Sequence, residues 1–207
     1  MARILDISPL VSPRIEVWPG DVGFTREVSM DVEQGDPITL SALRTTVHLG
    51  AHADAPNHYR AGGAGIGARE LSLYYGDCQV MQVALERGER LRPAQLTGPV
   101  EAERILFRTG TFPDPEAWNE DFGALSAELI VHLAERGVRL VGIDTPSIDP
   151  QDDKALESHQ AIADHDMAIL EGLVLSEVPD GRYTLIALPL RLEGADASPV
   201  RAVLLAD

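Results

Sequence analysis

Short apolar or alternating runs, bounded by turn-forming residues, dominate this chain. Arg3 to Ile7, Ile38 to His48, Gln79 to Leu85, Arg104 to Arg108, Val138 to Ile143, Val174 to Val178, Tyr183 to Leu192 and Val200 to Leu205 follow that pattern. Each reads as a strand. A helical period interrupts twice. Ser126 opens a stretch with Leu129, Ile130 and Leu133 on one side, and Gly137 stands where such a helix stops. A second helix is expected from about Asp153 to Asp164. Eight strands joined by two helices cannot all be parallel crossover units. The pattern predicts an α/β fold, a single domain over residues 1–207 with a mixed, barrel-like sheet flanked by a few helices. No internal repeat is visible, which removes solenoids and propellers.

Composition adds limits. At 44% hydrophobic and 24% charged residues, the chain is an ordinary globular protein able to bury a core. Its formal net charge of −16 argues against nucleic acid and anionic membrane, because polyanions need clustered Lys and Arg. The partner expected is a small molecule. Cys78 is the single cysteine, so no internal disulfide forms and a secretory framework is unsupported. With neither a signal-peptide pattern nor an apolar run long enough for a bilayer, a cytoplasmic location is expected.

The candidate chemistry concentrates in one stretch. His48, Gly50, His52, Asp54 and His58 spell H-x-G-x-H-x-D-x-P-x-H and hold three of the six histidines. In an extended segment the three imidazoles and Asp54 share one face while Leu49, Ala51 and Ala53 take the other. A helix would swing Asp54 away from His48 and His52, and Gly50 and Pro56 argue against one. A strand running into a tight loop is therefore expected. Two imidazoles and a carboxylate converging on one point are usual ligands for a divalent transition metal, and a third imidazole can move protons.

Further ligands are sought downstream. Glu171 lies in the apolar run Ala168 to Leu175, where an uncompensated carboxylate is costly and a metal would remove the cost. His159 sits on the second predicted helix, and Asp164, His165 and Asp166 follow closely as rivals. Spacing alone does not choose between His159 and His165. His132 reads as a packing residue of the first helix. Asp144 and Asp149, flanking Thr145-Pro146-Ser147 after an apolar strand, are candidates to support the ligands. Trp18, in Trp18-Pro19-Gly20-Asp21, either stacks on a flat ligand or covers the core. Gly62, Gly63, Gly65 and Gly67 lack the Lys of a phosphate loop and its spacing, so they predict a mobile loop beside the site.

The segment His48 to His58 resembles the signature of the metal-dependent cyclase-like hydrolases, and within them the bacterial kynurenine formamidases (arylformamidases). The likeness continues through Trp18-Pro19-Gly20-Asp21, Gly142 to Asp149, Ser158-His159 and Glu171-Gly172-Leu173. The resemblance implies a two-metal site, commonly zinc, held by His48, His52, Asp54, His159 and Glu171; imidazole and carboxylate ligands without thiolate suit Zn2+ and admit Mn2+, Co2+ or another divalent ion. It thereby selects His159 over His165. It further implies His58 as the acid/base, Trp18 against the aryl group of a substrate, and a homodimer in which the Trp18 turn reaches the neighbour's site. The signature often carries Thr where this chain has Ala51, a position facing away from the ligands. The activity implied is hydrolysis of N-formyl-L-kynurenine to L-kynurenine and formate, a step of tryptophan degradation. Two rivals stand beside it: another hydrolase of the superfamily acting on a cyclic amide or ester such as isatin, and a metal-binding protein without catalysis.

Overall fold

The computed structural model describes residues 3–206. The chain runs through β1 (Arg3–Asp6), β2 (Thr25–Met30), β3 (Leu40–Arg44), β4 (His52–Asp54), α1 (Pro56–Tyr59), β5 (Tyr75–Gln82), β6 (Arg90–Leu91) and β7 (Arg104–Arg108). It continues through β8 (Ala124–Leu125), α2 (Ala127–Ala134), β9 (Leu140–Ile143), α3 (Glu157–Asp164), β10 (Ala168–Glu171), β11 (Gly181–Ile186), β12 (Ala197–Pro199) and β13 (Val203–Ala206). Among the described residues nine strands form one mixed sheet in the order β1-β13-β11-β5-β7-β9-β10-β4-β12, curled as a half-barrel. β5, β7, β9 and β10 are mutually parallel, and the other pairs are antiparallel. The expected α/β class with a mixed, barrel-like sheet and few helices is the one observed.

Alternation along the central strands divides the core. Ile105 and Phe107 of β7, Val141 and Ile143 of β9 and Ile169 of β10 pack with Leu129, Ile130 and Leu133 of α2 and Ile162 of α3. Leu106, Leu140 and Leu170 point the other way, into the curl, against Ile7, Leu185 and Leu204. Each such buried side chain contributes about 1.5–3 kcal/mol from area removed from water. On β9 the curl side is so tight that a Cβ at Gly142 would lie 2.4 Å from Leu106 Cδ2.

Helix boundaries follow local chemistry. Ser126 caps α2 by accepting from Leu129 N, and Gly137 leaves the helix in the left-handed region at φ 81°. The second helix starts later than expected, at Glu157, because Asp153 spends its carboxylate on the turn before it, accepting from Ala155 N and Leu156 N. Val174 to Val178 is not a strand. The strand is the preceding β10, and Gly172 at φ 64° turns the chain, so Leu173, Leu175 and Val178 owe their apolar character to irregular backbone in the core. β2 and β3 form a separate two-stranded arm, and β2 carries no burial pattern to betray it because all but its last residue are exposed.

Candidate metal centre

The signature converges by a route different from simple alternation. Only His52 to Asp54 is strand, as β4; His48 precedes it in an irregular segment, and His58 lies on α1. Gly50 makes the turn between His48 and β4 with φ 55°, close against Pro9 and Ile15. Pro56, which argued against helix, is the first residue of α1, where its missing N–H costs nothing. Ala51, Ala53 and Ala55 fill the core behind the strand. β4 lies between β10 and β12, and antiparallel pairing sets His52 opposite Glu171. Gly172 lets the two strand ends meet, since a Cβ there would fall 2.1 Å from Gly50 O.

Around Asp54, donor atoms crowd without aligning. Oδ1 lies 3.0 Å from His48 Nδ1 and 3.5 Å from His52 Nε2, and Oδ2 lies 3.4 Å from His159 Nε2. Glu171 closes the ring, with Oε2 3.3 Å from His52 Nε2 and Oε1 3.6 Å from His159 Nε2. Both Asp54 oxygens and His159 Nε2 are enclosed and have no hydrogen-bond partner among the described residues. Two donor groups share Asp54: His48, Asp54 and His58 offer atoms within 4.8 Å of one another, and so do His52, Asp54 and Glu171.

The outward nitrogen of each inner imidazole is already committed. His52 Nδ1 donates to Gly50 O at 2.8 Å, His159 Nδ1 to Asp149 Oδ2 at 2.8 Å, and His48 Nε2 to Asp196 Oδ2 at 3.0 Å. Carbonyl and carboxylate oxygens only accept, so these nitrogens carry the hydrogens and the lone pairs of the neutral rings face Asp54 and Glu171. Lone pairs turned on carboxylate oxygens repel unless something positive lies between them. Imidazole and carboxylate without thiolate is a donor set for Zn2+ and its divalent neighbours, and the residues present fit such ions.

Protons can take the same place. Burial pushes the His48 imidazole down, but Asp54, Asp196 and Glu171 outweigh it and raise its pKa to about 9. At His159 burial is again outweighed, by Asp149, Asp54 and Glu171, and the pKa rises to about 10. Asp54 is held well below the usual carboxylate range, because His159, His48 and His52 together exceed the cost of its burial.

His159 is locked from behind. Asp149, wholly buried, accepts from Ser158 N and His159 N at the start of α3 as well as from the His159 ring. Arg90 Nη1 holds the same carboxylate at 2.5 Å, and its Nη2 pairs with Asp153. His165, by contrast, is exposed at the helix end. Asp164 and Asp166 pair with Arg60 and Arg69. Asp144 braces a loop, accepting from Thr109 N and Gly110 N. His132 is half-buried on α2. His58 stands nearer to solvent, its side chain 36% exposed, with Nδ1 3.6 Å from Asp196 Oδ2.

A cavity of about 780 Å³ opens over these residues and is lined by His48, His52, His58, His159 and Glu171 together with Trp18, Phe112 and Trp118. Trp18 meets Trp118 edge-on at 5.6 Å, and Phe112 meets Trp118 at 5.5 Å. Trp118 Nε1 donates to Gln151 Oε1. Phe112, Trp118, Arg90 and Asp196 escaped the sequence reading. Aromatics are only 5% of the chain, and that scarcity was the one available signal for Trp118. The glycine run is no free loop: a Cβ at Gly63 would lie 2.5 Å from Pro56 C, and one at Gly67 2.5 Å from Leu192 O. Those glycines permit backbone-to-backbone packing beside the signature.

Comparison with known proteins agrees with this architecture. Residues 5–150 match the family model described as Putative cyclase. The chain is 45% identical over 206 residues to the Kynurenine formamidase of Maricaulis maris (strain MCS10), covering 99% of this chain and 98% of that one. Among solved structures it is similar to a potential metal-dependent hydrolase with cyclase activity, at TM-score 0.84 and 26% identity over 100% and 99% of the two chains. It shares its fold with isatin hydrolase A from Labrenzia aggregata, at TM-score 0.83 and 21% identity over 99% and 94%.

Proposed function

From the premise that the chain belongs to the family of putative cyclases, we propose that it is an arylformamidase hydrolysing N-formyl-L-kynurenine to L-kynurenine and formate. The observation that carries this reading is a ring of inward lone pairs on His48, His52 and His159 around Asp54 and Glu171, at the wall of a cavity lined by Trp18. His48, His52, Asp54, His159 and Glu171 would hold two divalent ions, commonly zinc. When bound, such ions supply Lewis acidity, acidifying a water and polarising the formyl oxygen.

The chain's own residues do the rest. His58 accepts a proton from the attacking water as the C–O bond forms, and returns it to the anilide nitrogen as the C–N bond breaks. Trp18 packs against the aryl ring and orients the scissile amide toward His58. Arg90 and Asp149 keep His159 facing inward. The same reading includes a homodimer. The β2–β3 arm exposes Val28, Leu40 and Leu43, and a two-stranded ribbon alone is marginal in water, so a neighbouring copy is the natural support.

The test is hydrolysis of N-formylkynurenine by zinc-reconstituted protein, followed by absorbance, with a chelated sample beside it. Fast turnover abolished by chelation supports the proposal. No turnover despite stoichiometric zinc would sink it and redirect the substrate to a ring amide or ester such as isatin.

A further inference from the structure

We propose that Asp196 is a positioning residue shared by His48 and His58. Its Oδ2 accepts from His48 Nε2 at 3.0 Å and lies 3.6 Å from His58 Nδ1, and the two rings stand 4.3 Å apart. One carboxylate oxygen thus faces both a candidate ligand and the candidate acid/base. Because a carboxylate only accepts, it keeps the hydrogen of His48 on Nε2 and presents the Nδ1 lone pair to Asp54. At His58 it favours the tautomer with hydrogen on Nδ1, which leaves Nε2 as the nitrogen available for the reacting proton.

The backbone holds Asp196 in that position. Its carbonyl accepts from Ala55 N at 2.8 Å, and the carbonyls of the two preceding residues, Ala195 and Gly194, accept from Ile66 N and Asn57 Nδ2. The next residue, Ala197, pairs with Asp54 in the β12–β4 register. Gly65 approaches the same turn so closely that a Cβ would come within 3.2 Å of Ala195 O. Three attachments to the signature segment, at Asp54, Ala55 and Asn57, are more than a surface ion pair needs. With its side chain 48% exposed, Asp196 as a mere surface pair would contribute little stability and no function.

The inference rests on the formamidase reading for His58 but not for His48, and the experiment separates the two. Asp196→Ala and Asp196→Asn are prepared zinc-loaded, with circular dichroism and melting as fold controls. In competition with a chromogenic chelator, Asp196→Ala should hold zinc about 10–100-fold more weakly than wild type. Asp196→Asn should stay within about threefold, because its amide oxygen still accepts from His48 Nε2. At full zinc loading the Ala variant should lose about tenfold or more in kcat on N-formylkynurenine, with KM within about twofold. Unchanged zinc affinity and unchanged kcat would overturn the proposal, and so would a kcat loss alone, which would confine Asp196 to His58. If wild type fails to turn over, the formamidase reading fails and the zinc competition still judges the role at His48.

Discussion

Replacing Asp149 by Asn keeps the volume of the side chain and removes its charge. Four donors converge on the native carboxylate: Arg90 Nη1 and Ser158 N on Oδ1, His159 N and His159 Nδ1 on Oδ2. An amide has one accepting oxygen, so in either orientation its NH2 group faces two donors. Hydrogen bonds to charged groups are worth about 1.5–3 kcal/mol each, and two are lost. Removing one partner of a buried pair costs about 3–5 kcal/mol, partly relieved here because Arg90 retains Asp153. At about 2–4 °C per kcal/mol for a chain of this length, Tm should fall by roughly 6–20 °C. Differential scanning calorimetry of the zinc-loaded and chelated protein measures it, and zinc affinity should fall about 10–100-fold in parallel. A cycle with Arg90→Ala should show coupling of about 0.5–3 kcal/mol. A Tm within about 2 °C of wild type, with zinc affinity intact, would refute the claim that Asp149 organises His159.

His58→Ala should retain zinc, by metal analysis, while losing about 100-fold or more in kcat; loss of zinc as well would make His58 a ligand. In the chelated protein, His159 and His48 have folded pKa values raised above the unfolded 6.5, to about 10 and about 9. Their contribution is therefore complete below about pH 6.5 and is lost as pH rises toward 9 to 10. Urea titrations should show that decline, and zinc, taking the place of the protons, should remove it. Trp18→Ala should raise KM for aryl formamides by about tenfold with a smaller change in kcat; an unchanged KM would leave Trp18 as packing against Trp118. Gly172→Ala forces a side chain into a left-handed backbone and into Gly50 O, and should lower stability by about 2 kcal/mol or more in thermal melts.

What could be read beforehand follows from how local each signal is. α2 was legible because its cap, apolar stripe and terminal glycine all lie within twelve residues, and β7 because both of its faces are buried. Glu171 stood out as a carboxylate in an apolar run, and its burial follows from pairing with β4. The parity of the signature pointed to residues that the fold does bring together, for a reason only partly right, since alternation holds for His52 and Asp54 while Gly50 and α1 deliver the others. Asp196 and Arg90 gave no local sign, and Trp118 only its rarity as an aromatic. Their roles arise from contacts across tens of residues, and nothing in Gly194-Ala195-Asp196 distinguishes a carboxylate on an imidazole from one in water.

The place of β4 also bears on how the molecule is made. Its two neighbours in the sheet, β10 and β12, are synthesised more than a hundred residues after it. A nascent chain therefore exports His52 and Asp54 long before Glu171, His159 or Asp196 exists to meet them. Assembly of the centre is bound to the slow, late closure that high contact order imposes. Until the last quarter emerges, β4 presents two unpaired edges, the kind of surface that recruits other strands. A ribosome stalled before β10 would hold a chain without Glu171 and with β4 open to aggregation.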